Sequence, residues 1–291
     1  MKSAVVALIG RPSSGKSTLL NRICGGKVSI VSPVPQTTRN AVRGILTEKR
    51  GQLVLIDTPG YHLSGKKLNR YLLSLVSSSV ADADALLYVV DGSRGFGGEE
   101  ESIIGIVRRA SKETVVALNK KDRANGFWGE RRERLRAELP SVPLIEISAL
   151  TGEGIEGLLH ALFSAVPEGG PLYPEDFFTD QPPDFRISEV VREKAINITR
   201  QEVPHALYVK LEDLEFRDSG KILWVRGFIF VERESQKGIL VGRGGQKIRR
   251  IVSEAESDLD TIFPYRVRLD LRVKVNKDWR KNDAVLKGLI R

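Results

Sequence analysis

The run Gly10-Arg11-Pro12-Ser13-Ser14-Gly15-Lys16-Ser17, continued by Thr18, constrains the fold more than any other feature of this chain. It lies between an apolar run that reads as a buried strand, residues 3–9, and a segment with helical spacing, residues 16–24. Strand, glycine-rich turn and helix in that order make a phosphate-binding loop. The glycines let backbone N–H groups turn inward, and the helix N-terminus adds partial positive charge. In such a loop Lys16 reaches the β- and γ-phosphates of a nucleotide and the Ser17 hydroxyl ligates Mg²⁺.

The segments that follow keep the same alternation. Residues 43–49 and 52–56 read as a hairpin around Arg50 and Gly51, and residues 67–80 as a helix. Further buried strands are expected at 86–90, 114–118 and 144–147, separated by helices near 99–109, 130–139 and 154–166. Alternating strands and helices imply right-handed βαβ units, hence an α/β domain on a mixed, mostly parallel sheet, with ligands at the carboxyl ends of the strands. From 167 to 183 the texture becomes proline-rich, with Phe177 and Phe178 interleaved, which reads as a linker with aromatics available for docking. The expected division is a nucleotide domain over 1–170, a linker over 171–183 and a smaller α+β domain over 184–291.

A phosphate loop does not distinguish ATP from GTP. Asn119-Lys120-Lys121-Asp122, directly after the strand 114–118, does. The Asp122 carboxylate can accept from guanine N1–H and the 2-amino group together. With adenine it would be left unpaired, at a cost of about 1–3 kcal/mol. Ser148-Ala149-Leu150 follows the next strand, where a backbone N–H can meet guanine O6. Asp57-Thr58-Pro59-Gly60 ends the strand 52–56, placing Asp57 to hold Mg²⁺ and the Gly60 N–H to sense the γ-phosphate. A threonine of Pro35-Gln36-Thr37-Thr38-Arg39 can complete the metal's coordination; Thr38 is favoured over Thr37, although spacing does not decide between them. Lys16, Thr38, Asp57 and Gly60 form the expected catalytic set, with Ser17, Thr38 and Asp57 at the metal. Tyr61 occupies the position where many GTPases carry a water-orienting glutamine, so intrinsic hydrolysis is expected to be slow.

The second part opens with an amphipathic helix pattern at 187–201, then strand-like runs at 206–214 and 222–231, a glycine-rich loop, a helix from 247 and an alternating strand at 266–275. The loop Gly242-Arg243-Gly244-Gly245 leads into Lys247, Arg249 and Arg250, and Lys237 precedes it. Glycines let a nucleic-acid backbone approach, and the basic side chains neutralise phosphates. The net charge of +9 is unevenly spread: residues 1–183 carry 23 basic and 20 acidic side chains, residues 184–291 carry 23 and 17. Acidic Glu254, Glu256, Asp258 and Asp260 follow the basic helix and are expected to steer phosphate back toward the loop. The single cysteine, Cys24, and the three scattered histidines exclude an internal disulfide and a metal cluster of zinc type. No signal peptide or long apolar span is evident, so a cytoplasmic protein is expected.

Taken together, GRPSSGKS, PQTTRN, DTPGYH, NKKD and SAL, with VERESQKGILVGRGGQKIRRI and a closing VKVNKDWR, resemble the Era family of bacterial GTPases over essentially the whole chain. The resemblance implies a Ras-like GTPase domain joined to a type II KH domain, using GTP, GDP and Mg²⁺. It implies binding near the 3′ end of 16S rRNA during 30S ribosomal subunit assembly and peripheral contact with the inner membrane. The chain is expected to act as a monomer. Ser13 and Ser14 stand where family members usually carry asparagine and a small apolar residue; in related GTPases that asparagine helps hold an activating potassium ion. Competing readings are a membrane-surface GTPase of cell-cycle control, an RNA-binding module with a purely structural nucleotide, and an ATP-using enzyme.

Overall fold

The computed structural model describes residues 1–62, 67–199 and 201–289, which fall into two compact units. One unit comprises Met1–Ser29 and Thr38–Asp180; the other comprises Ile30–Thr37 and Gln181–Leu289.

In the first unit β1 (Lys2–Ile9), β2 (Val42–Glu48), β3 (Gly51–Asp57), β4 (Ala85–Asp91), β5 (Glu113–Asn119) and β6 (Leu144–Glu146) form a sheet ordered β2-β3-β1-β4-β5-β6. Only β2 runs antiparallel to its neighbour. Helices α1 (Lys16–Ile23), α2 (Lys67–Asp82), α3 (Gly98–Ala110), α4 (Phe127–Glu138) and α5 (Ile155–Ala165) connect the strands. β3 and β4 are buried at every residue, which is why they are near-continuous apolar runs rather than alternating ones. The loops after β1, β3, β5 and β6 carry the four nucleotide motifs, all at the carboxyl edge of the parallel strands.

The stretch expected as a linker packs in part with this unit. Gln52 Nε2 donates to the Tyr173 carbonyl at 2.9 Å, and its Oε1 accepts the N–H groups of Leu172 and Tyr173 at 2.7 and 2.8 Å. The Ile45 N–H donates to the Phe178 carbonyl at 2.9 Å, while the rings of Phe177 and Phe178 stay exposed.

The second unit runs α6 (Pro183–Ile198), α7 (Val203–Ala206), β7 (Tyr208–Arg217), β8 (Ile222–Val231), α8 (Glu234–Val241), α9 (Gln246–Ile262), β9 (Arg266–Val275) and α10 (Asp283–Leu289). β8 lies between β7, antiparallel, and β9, parallel. Ile187, Val190 and Val191 of α6 and Ile251, Ala255 and Leu259 of α9 share one core with Val225, Ile229 and Val267 of the sheet. The helix expected over 187–201 starts earlier and ends at Ile198; Arg200, within that expectation, lies outside the described residues. Glu234–Val241 is a helix between the strand-like run 222–231 and the glycine-rich loop, where the sequence reading places no element. Its β-branched residues and Gly238 hide the pattern, but Gln236 Oε1 caps it by accepting from the N–H groups of Glu232 and Arg233 at 3.0 and 3.1 Å. After β9, Trp279 is fully buried and its indole N–H donates to the Ala206 carbonyl at 2.8 Å.

The acidic residues of α9 have structural partners. Glu256 and Asp260 accept the N–H groups of Leu269 and Val267 on the edge strand β9, at 2.8 and 3.0 Å. Glu254 pairs with Arg250 at 2.6 Å and Asp258 with Lys194 at 2.7 Å. Glu256 and Asp260 thus satisfy N–H groups of an edge strand, and Glu254 and Asp258 pair with basic neighbours.

Candidate functional site

Between Ile9 and Lys16 the phosphate loop is closed by its neighbours as much as by its own glycines. Gly15 has φ of 100°, and a Cβ there would fall 2.3 Å from the Asn119 carboxamide nitrogen, so no larger residue fits. Ser13 sits at φ 62°, in the left-handed region that asparagine or glycine enters more readily. Lys16 is buried and folds back, its Nζ donating to the carbonyls of Gly10 and Arg11 at 3.1 Å each. Burial lowers its amine to about 8, with Asp57 pulling the other way. Arg11 reaches outward to Glu99 and Glu100 of α3, at 2.8 and 3.1 Å. The Ser14 Oγ is buried and has no hydrogen-bond partner among the described residues. Thr18 lies in the first turn of α1.

Asp57 gathers a cluster of hydroxyls. Its Oδ2 accepts from Ser17 Oγ at 2.6 Å, Ser29 Oγ at 2.8 Å and Thr38 Oγ1 at 3.5 Å, and the Ser17 and Thr38 hydroxyls are 3.1 Å apart. Burial pushes the Asp57 carboxyl up, while Lys16 and the hydroxyls hold it down. The second oxygen, Oδ1, is buried without a hydrogen-bond partner among the described residues. A buried ionised carboxylate in that condition costs on the order of several kcal/mol unless a cation faces it. Serine, threonine and carboxylate oxygens are the hard donors that suit Mg²⁺, so the residues fit that ion. Thr37 turns away, its hydroxyl donating to the Val34 carbonyl at 2.6 Å; Thr38 is the threonine brought to the cluster. Ser29 belongs to it as well, and no sequence signal marks a lone loop serine.

Thr58 is buried and commits its hydroxyl to the Leu8 carbonyl at 2.6 Å, tying the exit of β3 to β1. Pro59 and Gly60 then run beside the phosphate loop: a Cβ on Gly60 would come within 2.6 Å of Pro12 backbone atoms. The Tyr61 N–H donates to the Gly10 carbonyl at 3.0 Å, and its side chain packs against the apolar cluster that includes Ile9, Tyr88 and Ile103. His62 Nδ1 lies 2.6 Å from Glu99.

At the other end of the site Asn119 joins two loops. Its Nδ2 donates to the Ser14 carbonyl and its Oδ1 accepts the Ala149 N–H, both at 2.9 Å. That Ala149 N–H is therefore already engaged. Ser148 Oγ donates to Asp122 Oδ1 at 2.5 Å, fixing the carboxylate's orientation. Lys120, at φ 71°, pairs with Asp91 at 2.7 Å, and Lys121 pairs with Glu153 at 2.7 Å. Arg22 of α1 donates to the carbonyls of Ala149 and Leu150, holding this loop from below.

In the second unit Gly242, Gly244 and Gly245 all have positive φ, at 71°, 58° and 78°, between α8 and α9. Arg249 turns back to the Gly244 carbonyl at 2.7 Å, Arg250 is held by Glu254, and Lys237 lies 3.9 Å from Glu234. Within the basic cluster, no ion pair with a described residue engages Arg243 or Lys247. Among the described residues no group of three or more His, Cys, Asp or Glu could hold a metal, and no helix is long and apolar enough to cross a membrane.

Comparison with known proteins agrees with both halves. The 50S ribosome-binding GTPase family matches residues 5–120 and the KH domain family residues 202–280. GTPase Era of Treponema denticola is 50% identical over 292 residues, covering 99% of each chain, and that of Borreliella afzelii is 43% identical over 291 residues, covering 100% of each. Two solved structures superpose with a TM-score of 0.95 at 34% identity: a tyrosine-to-alanine variant of Aquifex aeolicus Era bound to GDP and AlF₄⁻, with 99% of each chain covered, and an Era in complex with MgGDPNP and nucleotides 1506–1542 of 16S ribosomal RNA, with 99% and 98% covered. A nucleotide-type loop constellation and a glycine-loop α+β unit, matched end to end at this identity, place the chain in the Era family of GTPases.

Proposed function

We propose that this GTPase binds Mg·GTP at the Asp57 cluster and couples its γ-phosphate to RNA binding by the Gly242–Gly245 loop. The RNA is the 3′ region of 16S rRNA, and the role is assistance to 30S subunit assembly. The single observation that carries the nucleotide half is the Asp57 carboxylate, buried with one oxygen unpartnered among the described residues and three hydroxyls on the other. Bound there, Mg²⁺ would neutralise charge on the β- and γ-phosphate oxygens. Ser17 and Thr38 would ligate it, with Asp57 behind them. Lys16 would exchange the Gly10 and Arg11 carbonyls for phosphate oxygens, regaining a counter-charge for its buried amine. Asp122, oriented by Ser148, would accept from N1–H and the 2-amino group of guanine.

Hydrolysis is slow in this reading. The Tyr61 side chain packs in the apolar cluster and supplies no amide to orient water. The RNA half rests on the unengaged Arg243 and Lys247 beside three left-handed glycines, and on the relative solved with 16S rRNA nucleotides. The test is crosslinking of the GTP-loaded protein to total RNA, together with phosphate release measured with and without small-subunit RNA and with anionic vesicles. Enrichment of 16S 3′ sequence at the Arg243 loop supports the reading. Protection of that loop by vesicles alone would transfer it to a membrane surface.

A further inference from the structure

Helices cover one face of the sheet β7-β8-β9 and leave the other open. Val225 and Ile229 of β8 and Val267 and Val273 of β9 point into the core that α6 and α9 complete. Successive strand residues point to opposite faces, so Trp224, Arg226 and Phe228 share the outer face with Arg272 and Lys274. The register sets these residues in rows across the three strands. Lys210, Phe228 and Arg272 make one row; Tyr208, Phe230 and Lys274 make the next. The Gly242–Gly245 loop, between α8 and α9, belongs to the covered side, because Ile251, Ala255 and Leu259 of α9 pack in that core.

On the outer face the aromatic rings are covered by cations. Arg217 and Arg226 lie over the Trp224 ring, at 4.4 and 5.0 Å from its centroid, and Lys274 lies over Phe228 at 3.3 Å. The acids of this face are already paired: Glu215 with Arg217 at 2.7 Å, and Asp213 and Asp270 with Arg226 at 3.4 and 3.5 Å. Arg268 pairs with Asp260 of α9 at 3.3 Å. Lys210, Arg272 and Lys274 are exposed, and no ion pair with a described residue engages them. One end of the face is closed, since buried Trp279 meets Tyr208 edge-on and Tyr208 stacks on Phe230. The rest presents cations to solvent over rings.

We propose that this outer sheet face is a second surface for single-stranded RNA: Lys210, Arg272 and Lys274 meet phosphates, and a base stacks on the Arg217–Trp224 platform. Charge complementarity selects an anionic partner, because three cations without acidic partners stand in two adjacent rows. The platform selects bases. A guanidinium seated on a ring leaves its far side for a base, which an ammonium does not do. A duplex keeps its base faces in its own stack and offers the platform nothing. A membrane surface would need projecting apolar side chains, and exposed Leu214 and Phe216 pair with Val225 and Leu223 on the other face. The proposal does not depend on the Gly242–Gly245 reading, since the two surfaces share no residue.

The test uses the full-length chain and a fluorescent, unstructured oligoribonucleotide, with an RNA duplex of equal length and anionic vesicles as competitors. Arg272→Gln combined with Lys274→Gln should lower the slope of log affinity against log salt by about 1.4, the value for two phosphates of a single strand. Lys210→Gln, which touches no ring and puts no packing at stake, should lower it by about 0.7. Arg217→Lys keeps the charge and removes the flat guanidinium, so affinity should fall about fivefold or more with the slope unchanged. The duplex should compete poorly. Unchanged slopes in the double variant and in Lys210→Gln overturn the proposal. So does a duplex that competes as well as the single strand, or a loss confined to vesicle binding. Arg243→Gln reports on the other surface. If it alone weakens RNA binding, the sheet face is wrong and the loop reading stands; if only the sheet variants do, the loop reading fails and the proposal stands.

Discussion

Asn119 holds the Ser14 carbonyl at 2.9 Å while its other amide atom holds the Ala149 N–H, so one side chain fixes the distance between the phosphate loop and the 148–150 loop. Asn119→Ala breaks both bonds and leaves buried groups unpaired, a loss of about 1–3 kcal/mol. GDP and GTP affinities should fall together, by roughly tenfold to a hundredfold, with the preference for guanine over xanthine unchanged. Asp122→Asn should do the opposite, moving preference toward xanthine nucleotides. Fluorescence titration with both base types checks each. An Asn119→Ala protein that loses selectivity instead of affinity would contradict this division of labour.

Lys16 gives the nucleotide site a pH dependence. Burial brings its amine from the ordinary 10.5 to about 8 in the free protein, and phosphate contact must raise it again. Below about pH 8 the amine is charged with or without nucleotide, so affinity is flat. Above that pH binding must take up a proton, and affinity should weaken by up to tenfold per unit. The stability of the free protein moves the other way: the penalty for a buried ammonium is present below about 8 and is relieved as pH rises toward 10.5. Titration calorimetry in buffers of different ionisation enthalpy at pH 8.5 should show proton uptake on GDP binding. No uptake would mean that the amine's proton affinity is not altered by phosphate.

Much of this was legible because the motifs are local. Strand, glycine turn and helix around Gly15 place Lys16 and Ser17 wherever the rest of the chain goes, and the buried strands β3 and β4 announce themselves by apolar runs. The Asp57 cluster was legible in three of its four members; Ser29 arrives through a loop geometry that no spacing encodes. α8 was missed because β-branched residues and a glycine obscure its periodicity, and its cap, Gln236, is supplied from inside the helix. Nor does charge alone reveal that Glu256 and Asp260 of α9 accept from strand N–H groups.

Contacts in the structure rank the basic residues around the Gly242–Gly245 loop. Arg243 and Lys247 carry no ion pair with a described residue, whereas Arg250 is held by Glu254 at 2.6 Å and Arg249 by the Gly244 carbonyl at 2.7 Å. Arg243→Gln and Lys247→Gln should each weaken binding to small-subunit RNA and reduce the slope of log affinity against log salt by about 1. Arg250→Gln should change the slope by much less, because its charge is already compensated. Filter binding across a salt series measures all three. Equal slopes for the parent and Arg243→Gln would remove that side chain from the phosphate contacts.

Glu99 ties the phosphate loop to the segment after Gly60: Oε2 accepts from Arg11 Nε at 2.8 Å while Oε1 lies 2.6 Å from His62 Nδ1. The three side chains are 26%, 21% and 42% exposed for Arg11, Glu99 and His62, so solvent screening limits each pair to about 1 kcal/mol or less. Arg11 keeps a second carboxylate in Glu100, which is nearly fully buried and also lies 3.3 Å from Arg131, so the phosphate loop does not lose its anchor with Glu99. Glu99→Gln should therefore act on the His62 side. GDP should dissociate about threefold to fivefold faster, as expected for the loss of one partly exposed pair, with base selectivity intact. Glu100→Gln should cost more, because it leaves Arg131 buried without its counter-charge, and this loss should register in thermal stability before it registers in exchange rate. Stopped-flow release of a fluorescent GDP and melting curves on the two variants distinguish the roles. The ranking is wrong if Glu99→Gln is the less stable of the pair.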